Sequence, residues 1–186
     1  MEKLFNQLLE TLLNNLRNGE DLKVTIGGEN SQFIRFSQSK VRQSGLVDDA
    51  NLSIIFINDD RTCSGSFTLT GNITTDKATA MVELNRLRDE VGTLPKDPFV
   101  VMPEDTGSSR SVHEGSLMNH ESTVSALSPA MQGVDLAGIW ASGRIFTGNA
   151  NSAGQKHWFA TDTFSLDYSL ITSDERMEKG IYAGSH

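Results

Sequence analysis

Cysteine is almost absent from this sequence, and Cys63 is the only one in 186 residues. No disulfide can form within the chain, which is typical of proteins from a reducing compartment. The segment Met1–Gln7 lacks the charged start and the apolar run of a secretory signal peptide. No window approaches the roughly 20 apolar residues that a membrane-spanning helix needs. We therefore expect a cytoplasmic protein with no membrane contact.

Basic residues are also scarce, with 16 Lys and Arg against 24 Asp and Glu, for a formal net charge of −8. An acidic chain repels the phosphates of a nucleic acid unless its few cations gather in one place. Arg35, Lys40 and Arg42 are the densest basic group, and they do not amount to a patch. The composition therefore predicts no direct binding of nucleic acid.

Apolar residues recur at helical spacing in two parts of the chain. Residues 1–18 carry a wide apolar stripe that ends at Asn18-Gly19. Residues 76–91 carry another, with Thr75 as the expected N-cap and Gly92 as the stop. A third helix is predicted over residues 116–132, near the end of which Pro129 removes a backbone hydrogen bond. We expect Leu12 and Leu87 to be buried.

Between and after these helices the pattern alternates as in β-strands. Strands are predicted within 22–26, 33–36, 40–44, 52–57, 62–69, 134–142, 144–147, 156–160 and 163–171, with a further strand-like run at 180–185. A hairpin connection is predicted at Gly27–Asn30, and turns at Asp48-Asp49 and Asp59-Asp60, with Asp59 exposed. The connections are too short for parallel crossovers. We expect an α+β fold with a largely antiparallel sheet, its helices packed on one face, and an accessible strand edge near the carboxyl terminus.

Residues 93–110 resemble a linker, because three prolines and a polar Thr106–Arg110 segment occur together there. The sequence therefore divides into a helix–meander–helix part at 1–92, the linker-like segment at 93–110, and a helix with strands at 111–186. We assign both flanking parts to one domain.

No convincing catalytic or metal-binding set is present. His113-Glu114 and His120-Glu121 lie seven residues apart, which would separate the imidazoles by roughly 10 Å along a helix, too far to share one zinc ion. Solvated residues at the start of a helix are the favoured interpretation. His157, in a predicted strand, and Cys63 are each interpreted as structural. Gly143–Asn149 imitates the spacing of a phosphate-binding loop but lacks the Lys-Ser/Thr pair that must follow.

Four segments, taken in order, resemble the PmbA/TldD family, whose members include candidate modulators of DNA gyrase. Gly148–Gly154 resembles the family's Asn-Ser-x-Gly turn, and Thr161–Leu170 resembles the strand that follows it. Lys179–Gly184 resembles the next segment, and Arg35–Ser44 is similar to an early strand pair with an Arg-Phe and a Gln. The corresponding turn residues are Asn149, Asn151, Ser152 and Gly154. Their composition favours a role in the turn itself over a role in contacting a peptide.

The resemblance implies a zinc-dependent peptidase family that works in two-part assemblies, in which one partner carries the metal on a His-Glu-x-x-x-His helix. This chain ends at His186, inside the strand-like run, without that motif. We therefore expect a truncated amino-terminal domain that holds no cofactor and is inactive alone, with zinc, if present, in a missing carboxyl-terminal portion. A homo- or hetero-oligomer with a family partner and a peptide substrate for the full-length protein are also implied.

The sequence leaves three functions open. The leading one is a non-catalytic domain that shapes a peptide-substrate chamber or a subunit interface. The second is a stand-alone interaction or regulatory module, for example one that modulates DNA gyrase. The third is an enzyme that uses Cys63 or the His113/His120 region.

Overall fold

The computed structural model describes residues 1–171 and 176–185. Its elements, in chain order, are α1 (Glu2–Asn14), β1 (Glu20–Ser37), β2 (Lys40–Asn58), β3 (Arg61–Thr68), α2 (Ile73–Val91), β4 (Ser108–His113), α3 (His120–Leu127) with a 3₁₀ turn at Ser128–Met131, β5 (Asp135–Asn151), β6 (Lys156–Ile171) and β7 (Met177–Ser185). None of the described helices is both long and apolar enough to cross a membrane.

All seven described strands form one sheet in the order β3-β2-β1-β5-β6-β4, with β7 also paired to β6. β2 and β3 are antiparallel, in register from Asn51↔Thr68 to Asn58↔Arg61, and β6 and β7 are antiparallel from Thr163↔Ser185 to Ile171↔Met177. Within the described residues β7 pairs only with β6. The accessible edge near the carboxyl terminus stays a prediction. The predicted α+β fold with a largely antiparallel sheet is confirmed.

Two hairpins are closed by two-residue turns with positive φ. Gln38 and Ser39 have φ of 52° and 53°, and Asp59 and Asp60 have φ of 49° and 57°. This geometry suits the right-handed twist of the flanking strands. The predicted turn at Asp59-Asp60 is therefore confirmed, and Asp59 is exposed.

The first two helices are present with shifted ends. α1 ends at Asn14 rather than near residue 18, although Gly19 does follow in a left-handed conformation with φ of 83°. α2 begins at Ile73, because the Asn72 side chain accepts hydrogen bonds from the Thr74 and Thr75 amides. The predicted N-cap at Thr75 was wrong by one turn. Leu12 and Leu87 are fully buried, as expected.

The third helix is much shorter than the predicted range of 116–132. Asn119 caps its start by accepting from the Ser122 amide, and the α-helix ends at Leu127. The following turn is 3₁₀ and contains Pro129, which has no backbone N–H and so cannot donate the hydrogen bond that a regular α-helix requires.

Two predicted connections are instead continuous strand. Gly27–Asn30 lies inside β1, where a Cβ on Gly28 would stand 2.2 Å from the Asp49 carbonyl oxygen and 2.7 Å from the Phe146 ring. The glycine thus permits a close approach and does not form a hairpin. Asp48-Asp49 lies within β2 as an exposed pair, and its predicted turn was also wrong.

The polar segment from Thr106 to Arg110, predicted as part of a linker, is partly in a strand. Ser108–His113 forms β4, which pairs with β6, so His113 ends an edge strand and does not begin a helix. Gly143–Asn149, whose spacing resembles that of a phosphate-binding loop, is part of β5. Residues 92–107 have no regular secondary structure.

The chain forms two compact units, each assembled from three separate stretches. Unit 1 comprises Met1–Gly28, Asp49–Ser111 and Phe146–Phe159, and unit 2 comprises Glu29–Asp48, Val112–Ile145 and the described part of Ala160–His186. Division at residues 93–110 stays a prediction.

Each unit has its own apolar core. In unit 1 Trp158 stacks on Phe146, with ring centroids 5.6 Å apart, and also contacts Phe5 of α1 at 6.0 Å. In unit 2 the buried cluster is formed by Ile34, Phe36, Met131, Leu136 and Trp140. Both cores bury large aromatic groups, each of which removes a large apolar area from water.

Candidate functional site

The residues that resemble the family motif lie at the end of β5, which contains Asn149 and Asn151, and in the turn to β6, which contains Ser152 and Gly154. Asn151 is buried there, and its side chain uses both of its hydrogen-bond donors and both of its acceptor positions. Its Oδ1 accepts from the Ala153 and Gln155 amides at 3.0 and 3.2 Å. Its Nδ2 donates to the Glu104 carbonyl and to Gln155 Oε1, both at 2.9 Å. Asn151 therefore fixes the turn and also anchors the segment that contains Glu104.

Ser152 ties the turn to β1. Its hydroxyl donates to Asp21 Oδ1 at 2.6 Å and accepts from the Leu22 amide at 3.1 Å, while its own amide donates to the Leu22 carbonyl at 3.0 Å. Gly154 has φ of 114°, a conformation that suits glycine, and a Cβ there would stand 3.3 Å from Asp105 Oδ2. These two residues serve the local geometry of unit 1.

Asn149 differs from Asn151 and Ser152 because its side chain is exposed. Its side chain makes one long hydrogen bond, accepted from Gln155 Nε2 at 3.3 Å. It lies at the rim of a cleft of about 410 Å³ in unit 1. Of the four motif residues, Asn149 and Asn151 line this cleft, and only Asn149 offers a side chain that is free to contact another molecule. A role in peptide contact stays a prediction.

The cleft lies between the sheet and residues 92–107, which we call the strap. Lys23, Thr25 and Ile55 line it from the strands, and Val101, Met102 and Pro103 line it from the strap. Its walls therefore combine apolar side chains with hydroxyl, amide and ammonium groups, as ligand-binding clefts generally do.

The strap is anchored near both ends. At the first end the Arg61 guanidinium donates to the Leu94 carbonyl at 2.9 Å, and the Asp97 amide donates to the Asp60 carbonyl at 2.7 Å. At the other end Asn151 holds the Glu104 carbonyl. Between these anchors, the hydrogen bond to the sheet is made by Lys23, whose ammonium donates to the Val101 carbonyl at 2.7 Å.

Sequence reasoning missed the strap. Its signal was present as Phe99-Val100-Val101-Met102, an apolar run between Pro98 and Pro103 inside an otherwise polar segment. Lys23 could not be identified in this way, because it is 78 residues from Val101 and only the fold brings the two together.

The histidines and the cysteine do not form a reactive group in the described structure. His157 Nδ1 is 2.8 Å from Ser109 Oγ in unit 1, and His113 is exposed at the end of β4. The side chain of His120 lies outside the described part of the structure. Cys63 is buried, with its thiol directed to the Leu87 carbonyl at 3.4 Å, and burial raises its pKa. A raised pKa disfavours the thiolate that a nucleophile or metal ligand requires.

Zinc, which the family resemblance implies for one partner, does not fit the residues described. Among them, no three His, Cys, Asp or Glu side chains are grouped closely enough to hold a metal ion. No step involving a metal can therefore be assigned to this part of the chain.

An ion pair in unit 2 is the other polar cluster of note. Arg144 donates to both carboxylate oxygens of Asp162, at 2.8 and 3.1 Å, and the Gly115 amide also donates to Asp162. The hydrogen bond to Asp162 raises the pKa of Arg144. This bidentate arrangement joins β5, β6 and the segment before α3 within the unit, so we interpret it as structural.

No protein-family model matches the chain, and a search of curated proteins finds no match. Solved structures do match its fold. TldE from Thermococcus kodakarensis superposes with a TM-score of 0.63 at 11% identity, covering 98% of this chain and 43% of TldE. A candidate modulator of DNA gyrase from Bacteroides thetaiotaomicron has a TM-score of 0.59 at 14% identity, covering 99% of this chain and 44% of its own length.

A third structure, a candidate modulator of a DNA gyrase from Thermotoga maritima, has a TM-score of 0.54 at 11% identity and covers 99% of this chain and 42% of its own. The chain thus has a PmbA/TldD-family fold over nearly its whole length, as the sequence resemblance predicted. It spans less than half the length of these structures.

Proposed function

We propose that this chain forms a non-catalytic part of a PmbA/TldD-like, metallopeptidase-related protein, in which it shapes a peptide-substrate chamber or a subunit interface. The observation that carries the proposal is the shared fold, which covers 98% of this chain but 43% of TldE. A region that accounts for part of a larger protein's fold needs surfaces for the rest of that protein or for its partners.

The cleft beneath the strap is the surface best suited to this role. Its volume of about 410 Å³ could accept one or two side chains of an extended peptide. Asn149 and Thr25 are exposed beside it and offer amide and hydroxyl groups for a peptide backbone. Asn151 and Ser152 then act by holding the turn and the strap in place.

The metal, in this proposal, is held outside residues 1–186, either by a family partner or by a longer form of the protein. The chain works as a homo- or hetero-oligomer with such a partner, in the cytoplasm, where the buried free thiol of Cys63 would stay reduced. A peptide is the substrate of the assembly, and this chain contributes walls and contacts.

Two measurements test the proposal. A His-Glu-x-x-x-His motif encoded after residue 186, or present in a protein that co-purifies with the chain, would support it. The purified chain alone should not cleave unstructured peptides such as denatured casein. Cleavage that is lost in Cys63→Ala or His113→Ala would contradict the proposal, because the chain would then be catalytic itself.

The alternative, a stand-alone interaction module, is favoured by the exposed apolar side chains of the strap, Phe99 and Val101. A gyrase supercoiling assay with and without the chain separates the two functions. An effect of the chain alone, at stoichiometric amounts and without a peptidase partner, would favour the regulatory module.

A further inference from the structure

Exposed apolar side chains lie on the strap and on the strand beneath the cleft in unit 1. Phe99 is 85% exposed, Val101 71% and Met102 47%, and Ile55 on the strand beneath is 41% exposed. Single exposed apolar residues are common on protein surfaces, but three within four consecutive residues of the strap, two of which line the cleft together with Ile55, are typical of an interaction site. A phenylalanine exposed to this degree is also the kind of aromatic anchor that contributes most to interfaces.

Hydrogen bonds hold the backbone of this group in place. The Phe99 amide donates to Asp97 Oδ1 at 2.9 Å, and the Val100 amide donates to the Asp97 carbonyl at 3.2 Å. Lys23 holds the Val101 carbonyl two residues later. The side chains of Phe99 and Val101 are thus displayed on an ordered backbone, which lowers the entropy lost on binding.

Charge decides what kind of partner fits. The strap contains Asp97, Glu104 and Asp105 but only one base, Lys96, which pairs with Asp59 and Asp60. The ammonium of Lys23 is committed to the Val101 carbonyl. A second copy of this chain, with its net charge of −8, would bring further negative charge to an acidic surface. A basic partner would be attracted instead.

We propose that the strap and the cleft form a docking surface for an extended, apolar protein segment flanked by Lys or Arg residues. Phe99 and Val101 provide the main apolar contacts, and Asp97, Glu104 and Asp105 attract the flanking bases. This inference rests on the proposed function, because both use the same cleft. It adds the chemical character of the protein segment that binds there.

The test uses two fluorescein-labelled model peptides of twelve residues with the same Leu- and Phe-containing core. One carries Lys and Arg at both ends, and the other carries Glu. Fluorescence anisotropy with the 186-residue chain at physiological ionic strength should give at least about tenfold tighter binding for the basic-flanked peptide.

The variant Phe99→Ser/Val101→Ser should weaken that binding by at least about tenfold, the usual effect of losing interface anchors. Val82→Ser is the matched control, because Val82 is 69% exposed on α2, and it should leave binding unchanged. Circular dichroism of each variant checks that the fold is retained, and single Phe99→Ser and Val101→Ser variants replace the double one if it unfolds.

Three outcomes of the binding assay would overturn the proposal. They are absence of binding to the basic-flanked peptide, equal binding of the two peptides, and binding that the strap variants leave unchanged. Sedimentation supplies a further check, since a dimer of the chain that dissociates in the strap variants would assign the surface to a second copy. Failure of the proposed function would appear separately, as catalysis by the chain alone or as an effect of the chain alone on gyrase.

Discussion

At the scale of single residues, two adjacent glycines in β1, Gly27 and Gly28, should respond differently to substitution by alanine. A Cβ on Gly28 would stand within 3 Å of the Asp49 carbonyl, the Phe146 ring and the Ala50 Cα, whereas a Cβ on Gly27 would meet nothing within 4 Å. We expect Gly28→Ala to lower the free energy of unfolding by about 1–3 kcal/mol through overpacking.

Gly27→Ala is the matched control for that substitution, since it has the same chemistry one position away in the same strand. It should change the stability by less than about 0.5 kcal/mol or raise it slightly. Urea denaturation of both variants measures the difference. Equal losses would show that the close approach at Gly28 does not control this position.

The buried ion pair between Arg88 and Glu20 gives a dependence of stability on pH. Arg88 donates from Nε and Nη2 to the two Glu20 oxygens, both at 2.8 Å, and the Arg17 amide adds a bond of 2.8 Å. Burial alone would raise the pKa of Glu20, but these hydrogen bonds outweigh it and hold the pKa below its ordinary value of 4.5. The resulting stabilisation is present above pH 4.5 and is lost as the pH falls through the lowered pKa.

We expect Arg88→Met to destabilise the protein by about 3–5 kcal/mol at pH 7, because it leaves a buried carboxylate without its partner. The double variant Arg88→Met/Glu20→Gln should recover much of that loss and should lose less stability than the wild type between pH 7 and pH 3. Denaturant titrations across this range measure both effects. A double variant that is no more stable than Arg88→Met at pH 7 would contradict the assignment.

Local periodicity predicted the burial of Leu12 and Leu87, because a helix that packs on a sheet must bury its apolar stripe. The contact between Lys23 and the Val101 carbonyl had no such signal. Residue types that favour turns could place Asn151 and Ser152 in a turn, but which neighbours they hold depends on the strands and the strap that the fold brings to them.

At the scale of elements, the strap depends on Lys23. Between the anchors at Asp97 and Glu104, the Lys23 ammonium of β1 donates a hydrogen bond to the Val101 carbonyl of the strap. We expect Lys23→Met to speed amide hydrogen exchange within residues 98–103 by about fivefold or more, since the loss of a bond to a charged group costs about 1.5–3 kcal/mol and part of this is screened at the surface.

Hydrogen exchange read by mass spectrometry measures this change. Lys3→Met provides a matched control, because Lys3 is exposed on α1 and should not affect the strap. Exchange in β1 and β2 should stay the same in both variants. Unchanged exchange in the strap of Lys23→Met would show that the end anchors suffice to hold it.

One element boundary was predictable from local turn residues, whereas boundaries that depend on helix caps or on strand pairing were not. The turn at Asp59-Asp60 was found because the residues that favour positive φ stand between two apolar runs. Gly27–Asn30 looked similar in sequence, but it is continuous strand within β1, where the glycine at position 28 accommodates the close approach of Asp49 and Phe146. β4 was missed because an edge strand of polar residues lacks the alternation that identifies a half-buried strand.

At the scale of the whole molecule, the net charge of −8 predicts how the chain behaves with nucleic acid. We expect no binding of duplex DNA below about 10 µM even at low salt, where electrostatic binding is strongest. An electrophoretic mobility shift or an anisotropy titration with a labelled duplex tests this. Sub-micromolar affinity that weakens steeply with added salt would show that the fold gathers its cations into a strip.

The residues described also predict the metal content of the chain. With no metal-binding group among them, we expect well under one zinc ion per chain after washing with chelator. Elemental analysis by mass spectrometry gives the stoichiometry. One tightly bound zinc ion per chain would mean that this chain itself holds the metal of the proposed assembly.

The order of the strands also bears on how the protein is synthesised. β1 pairs with β2 on one side, but its other neighbour, β5, begins only at Asp135. At a translation rate of roughly 5–20 residues per second, the second edge of β1 stays bare for several seconds after β2 has left the ribosome. Such an edge can pair with another nascent chain. Slower initiation or a bound chaperone should therefore raise the yield of folded protein more than changes made after synthesis.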